Sequence, residues 1–323
     1  MNILKKVSLT ALGTSLIATS AFAASLDVTG GASLTFAGQE NVAKGNGWTM
    51  NDEVTFSASG EMDNGWNVTV SMQLDDNAVS ATGATMDNRS LKIDMNDMGT
   101  LTFYGHGADS PMSAMDDKMP HADGNETWDT LAAATDGTAK FGSIGGNTVN
   151  NMFSYSLPTL VDGVAISASI APSDGTNLET TNSFGITYTG VDGLTIGAAM
   201  DENSEAGDLQ TDFETMYVKY AYGPVTVGYQ KSESDSATVA DQDEFTAYGI
   251  SYAVSDDLTV SYNESSYDDG TQTTDQENSA IGISYTMGSM SVTAIYAAMD
   301  NVGGSTDTLD DVTGYELGVS FAF

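Results

Sequence analysis

The sequence predicts an all-β protein, a transmembrane antiparallel β-barrel of about sixteen strands, on three observations. Short segments along most of the chain alternate apolar and polar residues. These segments end by turns in a tight connection and in a longer polar loop. Beyond the N-terminus no run approaches eighteen uninterrupted apolar residues, so a membrane-spanning helix is excluded while spanning strands are not.

The N-terminus carries a secretory leader pattern over residues 1–23. Lys5 and Lys6 form a positive start, Val7 to Thr19 a short and mostly apolar stretch, and Ala21-Phe22-Ala23 a small-residue cleavage site. Cleavage there leaves 24–323 as one barrel domain. It removes two lysines and no acidic residue, taking the formal charge from −36 to −38.

The strands follow from periodicity. Trp66, Val68, Val70, Met72 and Leu74 share one face, and Asn67, Thr69, Ser71, Gln73 and Asp75 the other. Leu258, Val260 and Tyr262 repeat the pattern, as do Tyr315, Leu317, Val319, Phe321 and Phe323. A period of two places each set on one side of a strand. Tight turns are predicted at Asp63-Asn64-Gly65, Asp97-Met98-Gly99, Asp162-Gly163, Asp192-Gly193, Gly223-Pro224, Ser255-Asp256-Asp257 and Met287-Gly288-Ser289. Between them lie acidic, Gly/Ser/Thr-rich stretches around 37–50, 79–86, 173–180, 202–211, 234–243, 267–277 and 300–312. One connection, 107–147, is far longer than the rest.

The two faces decide what surrounds the sheet. In a soluble sandwich, bulky apolar faces interlock in a core. Here the second face is polar and small, as at Ser57 and Ser59, Ser167 and Ser169, Thr195 and Gly197, and Gly249 and Ser251. It suits water, whereas the apolar face needs a non-aqueous neighbour, so closure gives an aqueous lumen inside and lipid outside. By the rule for such barrels the short turns are periplasmic and the long loops external. Tyr188, Tyr220, Tyr222, Tyr252, Tyr262 and Tyr285 near strand ends are candidates for interfacial girdles.

Composition removes other classes. Nine basic residues against 45 acidic ones argue against nucleic acid, which needs cationic side chains to displace its counter-ions. The absence of cysteine excludes disulfides, thiolate metal sites and thiol nucleophiles. No P-loop, G-x-S-x-G, H-E-x-x-H or complete EF-hand loop occurs, and His106 and His121 are the only histidines. The chain is therefore expected not to be an enzyme. Acidic groups such as Asp116, Asp117 and Asp123 suit Ca2+ or Mg2+ bound through oxygen, although solvated charge is the simpler reading and no cofactor is required.

Four features together resemble the Gram-negative outer-membrane porins, and most closely their alphaproteobacterial sixteen-stranded general type. They are the leader, the strand Gly99 to Gly105 (G-T-L-T-F-Y-G) entering the long connection, the stretch Asn150 to Pro158 (N-N-M-F-S-Y-S-L-P) leaving it, and the terminal Phe323 closing an aromatic strand. The resemblance implies an outer-membrane homotrimer in contact with lipid and lipopolysaccharide, passing small hydrophilic solutes. It implies that the third external loop, at 107–147, folds inward as the constriction, with Asp109, Asp116, Asp117, Asp123, Glu126, Asp129 and Asp136 as its carboxylates. It also implies that Tyr315, Phe321 and Phe323 form the signal read by the barrel-insertion machinery.

The chain departs from the family in lacking the arginine cluster that faces this loop in general porins. The wall candidates are Arg89, Lys92, Lys219, Asp75 and Asp94. Lys92 and Lys219 point to the lumen by alternation, whereas Arg89 shares the parity of Leu91 and turns inward only through a bulge or its nearness to the rim. With so few basic residues, the channel is expected to prefer cations. The competing reading is a secreted or surface-attached acidic β-rich structural or adhesive protein that binds calcium.

Overall fold

The structure, a computed structural model, describes residues 25–39, 47–75, 85–122, 144, 150–172, 180–205, 209–236, 242–304, 306 and 311–323. They form sixteen strands: β1 (Ser25–Gln39), β2 (Gly47–Glu61), β3 (Asn67–Asp75), β4 (Thr85–Asp94), β5 (Thr100–His106), β6 (Met152–Ser156), β7 (Val164–Ala171), β8 (Thr181–Tyr188), β9 (Leu194–Glu205), β10 (Leu209–Tyr222), β11 (Val225–Ser236), β12 (Asp243–Ala253), β13 (Leu258–Asp268), β14 (Gln276–Met287), β15 (Met290–Asp300) and β16 (Val312–Ala322). Every strand pairs with its sequence neighbours, and β1 pairs with β16, so the sheet is a closed antiparallel barrel. Closure leaves no edge whose peptide groups would stand unsatisfied in hydrocarbon.

The closing seam runs from Gly31 opposite Ala322 to Gln39 opposite Gly314. Beyond it, Gly30 and Phe323 exchange two backbone hydrogen bonds of 2.9 Å. The seven tight turns all occur where the sequence places them. Gly65, Gly99, Gly163, Gly193, Gly223 and Gly288 have φ between 57° and 86°, the region where a side chain is strained and glycine is not.

The strands run further than the alternation predicts. Stretches expected as loop around 202–211, 234–243 and 267–277 supply the ends of β9 to β14. Once both faces of a hairpin are wet, the apolar half of the period-two signal is lost while the backbone ladder continues.

The outer face is apolar around the whole circumference. Leu26, Val28, Leu34, Trp48, Met50, Val70, Phe153, Phe184, Ile196, Met216, Val227, Ile250, Ile281 and Leu317 are all exposed, which in water would be unfavourable and in lipid is the driving force. Tyr220, Tyr222, Tyr252 and Tyr285 stand exposed close to the short turns, as a girdle requires. Tyr262 belongs higher on its strand, opposite Ile250 and Ile281.

Candidate functional site: the loop inside the barrel

The described part of the long connection, residues 107–122, does not lie over the mouth. It runs inside the barrel along the wall from β8 to β13, and a row of wall side chains satisfies its backbone. The Met112 N–H donates to Ser183 Oγ at 3.1 Å, the Lys118 N–H to Gln230 Oε1 at 2.9 Å, and the Ala122 N–H to Ser261 Oγ at 2.9 Å. Asn263 Nδ2 donates to the Pro120 carbonyl at 3.0 Å, and Ser110 Oγ to Asp201 Oδ2 at 3.1 Å. A segment without strand or helix partners needs such bonds, because buried peptide groups are costly when unpaired.

The loop is also seated by apolar contacts. Met112 and Met115 pack with Ala199 and Tyr217. Met119 and Ile144 pack with Phe245, Ala247 and Tyr267, and Phe213 borders both groups. Four wall glycines leave the room. A β-carbon on Gly185 would stand 2.9 Å from Pro111, one on Gly228 2.6 Å from Pro120, and one on Gly249 2.8 Å from Pro120. On Gly197 it would stand 2.2 Å from the Tyr217 ring. These small residues, which the sequence presents as a water-facing wall, are a bed for the loop.

The remaining lumen wall, on β16 and β1 to β4, is uncovered by this segment. It bounds a polar recess of about 580 Å3 that includes Ser33, Asn51, Glu53, Asp75 and Ser320. Glu53 accepts a hydrogen bond from Gln73, which accepts one from Asn88, so three neighbouring strands share one chain of polar side chains.

The predicted site residues fall into separate groups. Asp109, Asp116 and Asp117 are on the described loop, with Asp109 and Asp117 exposed and Asp116 half-buried. Burial first, then the neighbouring Asp117 charge, raise the Asp116 carboxyl to about 7, against the lowering effect of Lys118. Lys118 Nζ stands 3.3 Å from Asp117 Oδ1. Asp123, Glu126, Asp129 and Asp136 lie outside the described residues, as does the leader. Asp75 faces Glu53 across β2 and β3. Asp94 lies by a short turn, accepting from the Asn96 N–H at 3.0 Å, and Lys92 sits between Thr69 and Thr102. Lys219 is opposite Gly228, beside the loop's resting place.

Arg89 requires a correction, for it is not on the pore wall. Register shifts do flank it on β3 and β5, yet Asn88 faces the lumen through its bond to Gln73, so the next residue turns outward. Arg89 is exposed, and its guanidinium lies beside Gly105, on the face shared with Phe103. As for the metal reading of Asp116, Asp117 and Asp123, no group of three or more potential ligands is arranged for a cation among the described residues.

The residues that sequence reasoning missed are Gln230, Ser261, Asn263 and Ser183, together with the apolar lumen side chains Phe245, Tyr217 and Met119. One signal was available. Gly185, Gly197, Gly228 and Gly249 fall on the polar parity of β8, β9, β11 and β12, marking a strip where something must approach the backbone.

A closed sixteen-strand barrel with an apolar exterior and a loop laid through its lumen is an outer-membrane channel of the porin class. The Gram-negative porin family model matches residues 8–304, and the chain belongs to that family. No curated protein sequence matches it significantly. Among solved structures it is similar to an anion-selective porin from Comamonas acidovorans, with TM-score 0.69 and 14% identity over 93% of this chain and 100% of that one. It is also similar to the trimer form of OmpT, an outer membrane protein of Vibrio cholerae, with TM-score 0.67 and 13% identity over 93% and 100%. A mutant of the Rh. blastica porin aligns with TM-score 0.64 and 14% identity over the same shares. At these identities the likeness establishes the fold alone, while the family match carries the outer-membrane setting, and selectivity is left to this chain's own residues.

Proposed function

We propose that this porin is a passive diffusion channel for small hydrophilic solutes and ions, assembled as a homotrimer and preferring cations. The observation that carries the preference is the wall that the described loop residues leave uncovered. By alternation Asp27, Glu53, Asp75 and Asp94 face the lumen there, with Lys92 as their basic neighbour on β2 to β4. Asp116 and Asp117 add carboxylates from the loop. A narrow passage with low-dielectric walls and one prevailing sign of charge concentrates counter-ions, here cations. No reaction is catalysed, and Ca2+ or Mg2+ act at most as screening ions on acidic loops.

The adhesin reading has nothing to favour it, since an apolar face around a closed barrel calls for lipid. Residues 1–23 serve in this reading as the export leader, and Tyr315, Phe321 and Phe323 as the insertion signal. N-terminal sequencing of the outer-membrane protein should begin at Ala24, and deletion of Phe323 should lower its outer-membrane level. Conductance in a planar bilayer tests the channel itself: steps in groups of three are expected. Shortening the loop between Asp109 and Asp136 should raise the conductance more than trimming 269–275. Equal effects would count against the loop as the constriction.

A further inference from the structure

One wall side chain binds the loop through more groups than any other described here. Gln230 faces the lumen from β11 and is completely buried. Its Oε1 accepts the Lys118 N–H at 2.9 Å. Its Nε2 donates to the Met115 carbonyl at 3.2 Å and to the Asp116 carbonyl, and approaches Thr215 Oγ1 at 3.4 Å. Thr215 is in turn hydrogen-bonded to Ser232 at 2.8 Å, which fixes the wall around the amide.

The chemistry of the amide explains why one residue suffices. The loop leaves a short turn at Ser113–Met115 and offers the wall two carbonyls and one N–H within four residues. Only a side chain with both a carbonyl and an NH2 group can answer that set. Ser183, Ser261 and Asn263 each hold the loop by a single bond on either side of this point. Gln230 therefore grips the backbone of Asp116 and Lys118, on either side of Asp117, whose side chain is exposed.

We propose that Gln230 is the positioning residue of the constriction, clasping residues 115–118 so that Asp116 and Asp117 are held at a fixed distance from the uncovered wall. This inference rests on the channel reading above. It predicts that releasing the clasp loosens the loop without opening the barrel.

The test is single-channel recording in KCl with the full chain and the variants Q230M and Q230E. Methionine keeps the length and removes the hydrogen bonds; glutamate keeps an acceptor for Lys118 but sets a carboxylate against two carbonyls. Both should migrate as folded barrels before heating in detergent gels, with higher open-channel conductance and greater current noise than the parent. In a chain already shortened between Asp109 and Asp136, Q230M should add nothing. A Q230M channel matching the parent, while loop shortening still raises conductance, overturns the clasp and leaves the channel reading standing. A Q230M effect that persists without the loop overturns it too, because Gln230 would then act through the wall. Should Q230M fail to assemble, Q230N retains both hydrogen-bonding functions one methylene short. Raised noise in Q230N supports the clasp, and parental noise contradicts it. A parent chain that forms no channel at all would refute the channel reading itself.

Discussion

The two arcs of the barrel wall use the same alternation for opposite ends. On β8 to β13 most lumen-facing positions that meet the loop are small, amide-bearing or apolar, as at Gly228, Gly249, Gln230, Phe245 and Ala247, with Asp201 a buried carboxylate bonded to Ser110. On β1 to β4 they are hydroxyls, amides and carboxylates, and Glu53 and Asp75 border open space. The first arc supports the described part of the loop, and the second borders a polar recess. A polar face in a barrel strand is thus not one kind of surface: Gly228, Gly249 and Gln230 meet the loop, whereas Glu53 and Asp75 line a recess.

The outer surface of the covered arc differs as well. Above its apolar band it carries charged residues, among them Lys231, whose ammonium stands 2.6 Å from Glu233 and 2.9 Å from Glu244. On β1 and β2 the outward positions stay mostly apolar from Leu26 to Phe36 and from Trp48 to Ala58. Charge on the outside of the barrel has no access to the permeating ion, so sign counts over the whole chain overstate the field inside.

The strongest way to break this contrast is to remove the loop's seat. Phe245→Ala deletes a fully buried ring from the cluster with Met119 and Ile144, at a cost of about 3–5 kcal/mol for a large-to-small core change. It should expose the loop to an externally added protease while the barrel persists, and unchanged resistance would mean the loop is held by its hydrogen bonds alone. Gly249→Val comes next. Its side chain would enter space taken by Pro120 and Met119, an overpacking cost of about 1–3 kcal/mol. The same change at Gly47, where nothing lies within 4 Å, should leave conductance near the parent's. Glu53→Lys should move reversal potentials in the anion direction, whereas Glu214→Lys, outward on β10, should not.

The smallest expected effect is a pH dependence. With its pKa raised to about 7, Asp116 binds a proton as pH falls through neutrality, and the passage loses one negative charge. Cation preference should therefore be greater at pH 8 than at pH 6. Asp116→Asn should flatten that part of the profile, and an unaltered profile in the variant would assign the titration elsewhere.

Much of this organisation is legible in the residues. Period-two alternation and the glycine turns locate the strands, and the polarity of the faces separates lumen from lipid. The loop's path is not legible, because it depends on which of many similar Ser, Asn and Gln side chains meet it across more than a hundred residues of sequence, as Gln230 meets Lys118. Arg89 is ambiguous in the sequence for a related reason: a bulge is a backbone irregularity that no side-chain pattern announces, and only the lumen bond of Asn88 settles which way the next residue points.

In the proposed channel the carboxylates of β1 to β4, which the described loop residues leave uncovered, face the permeating ions. The most direct test is the reversal potential of the purified channel in a KCl gradient held near 0.01 M, where the screening length of about 30 Å reaches across a pore mouth. A cation-selective sign that weakens as the salt approaches 1 M is predicted. An anion-selective sign at low salt would mean that these carboxylates do not set the field in the passage.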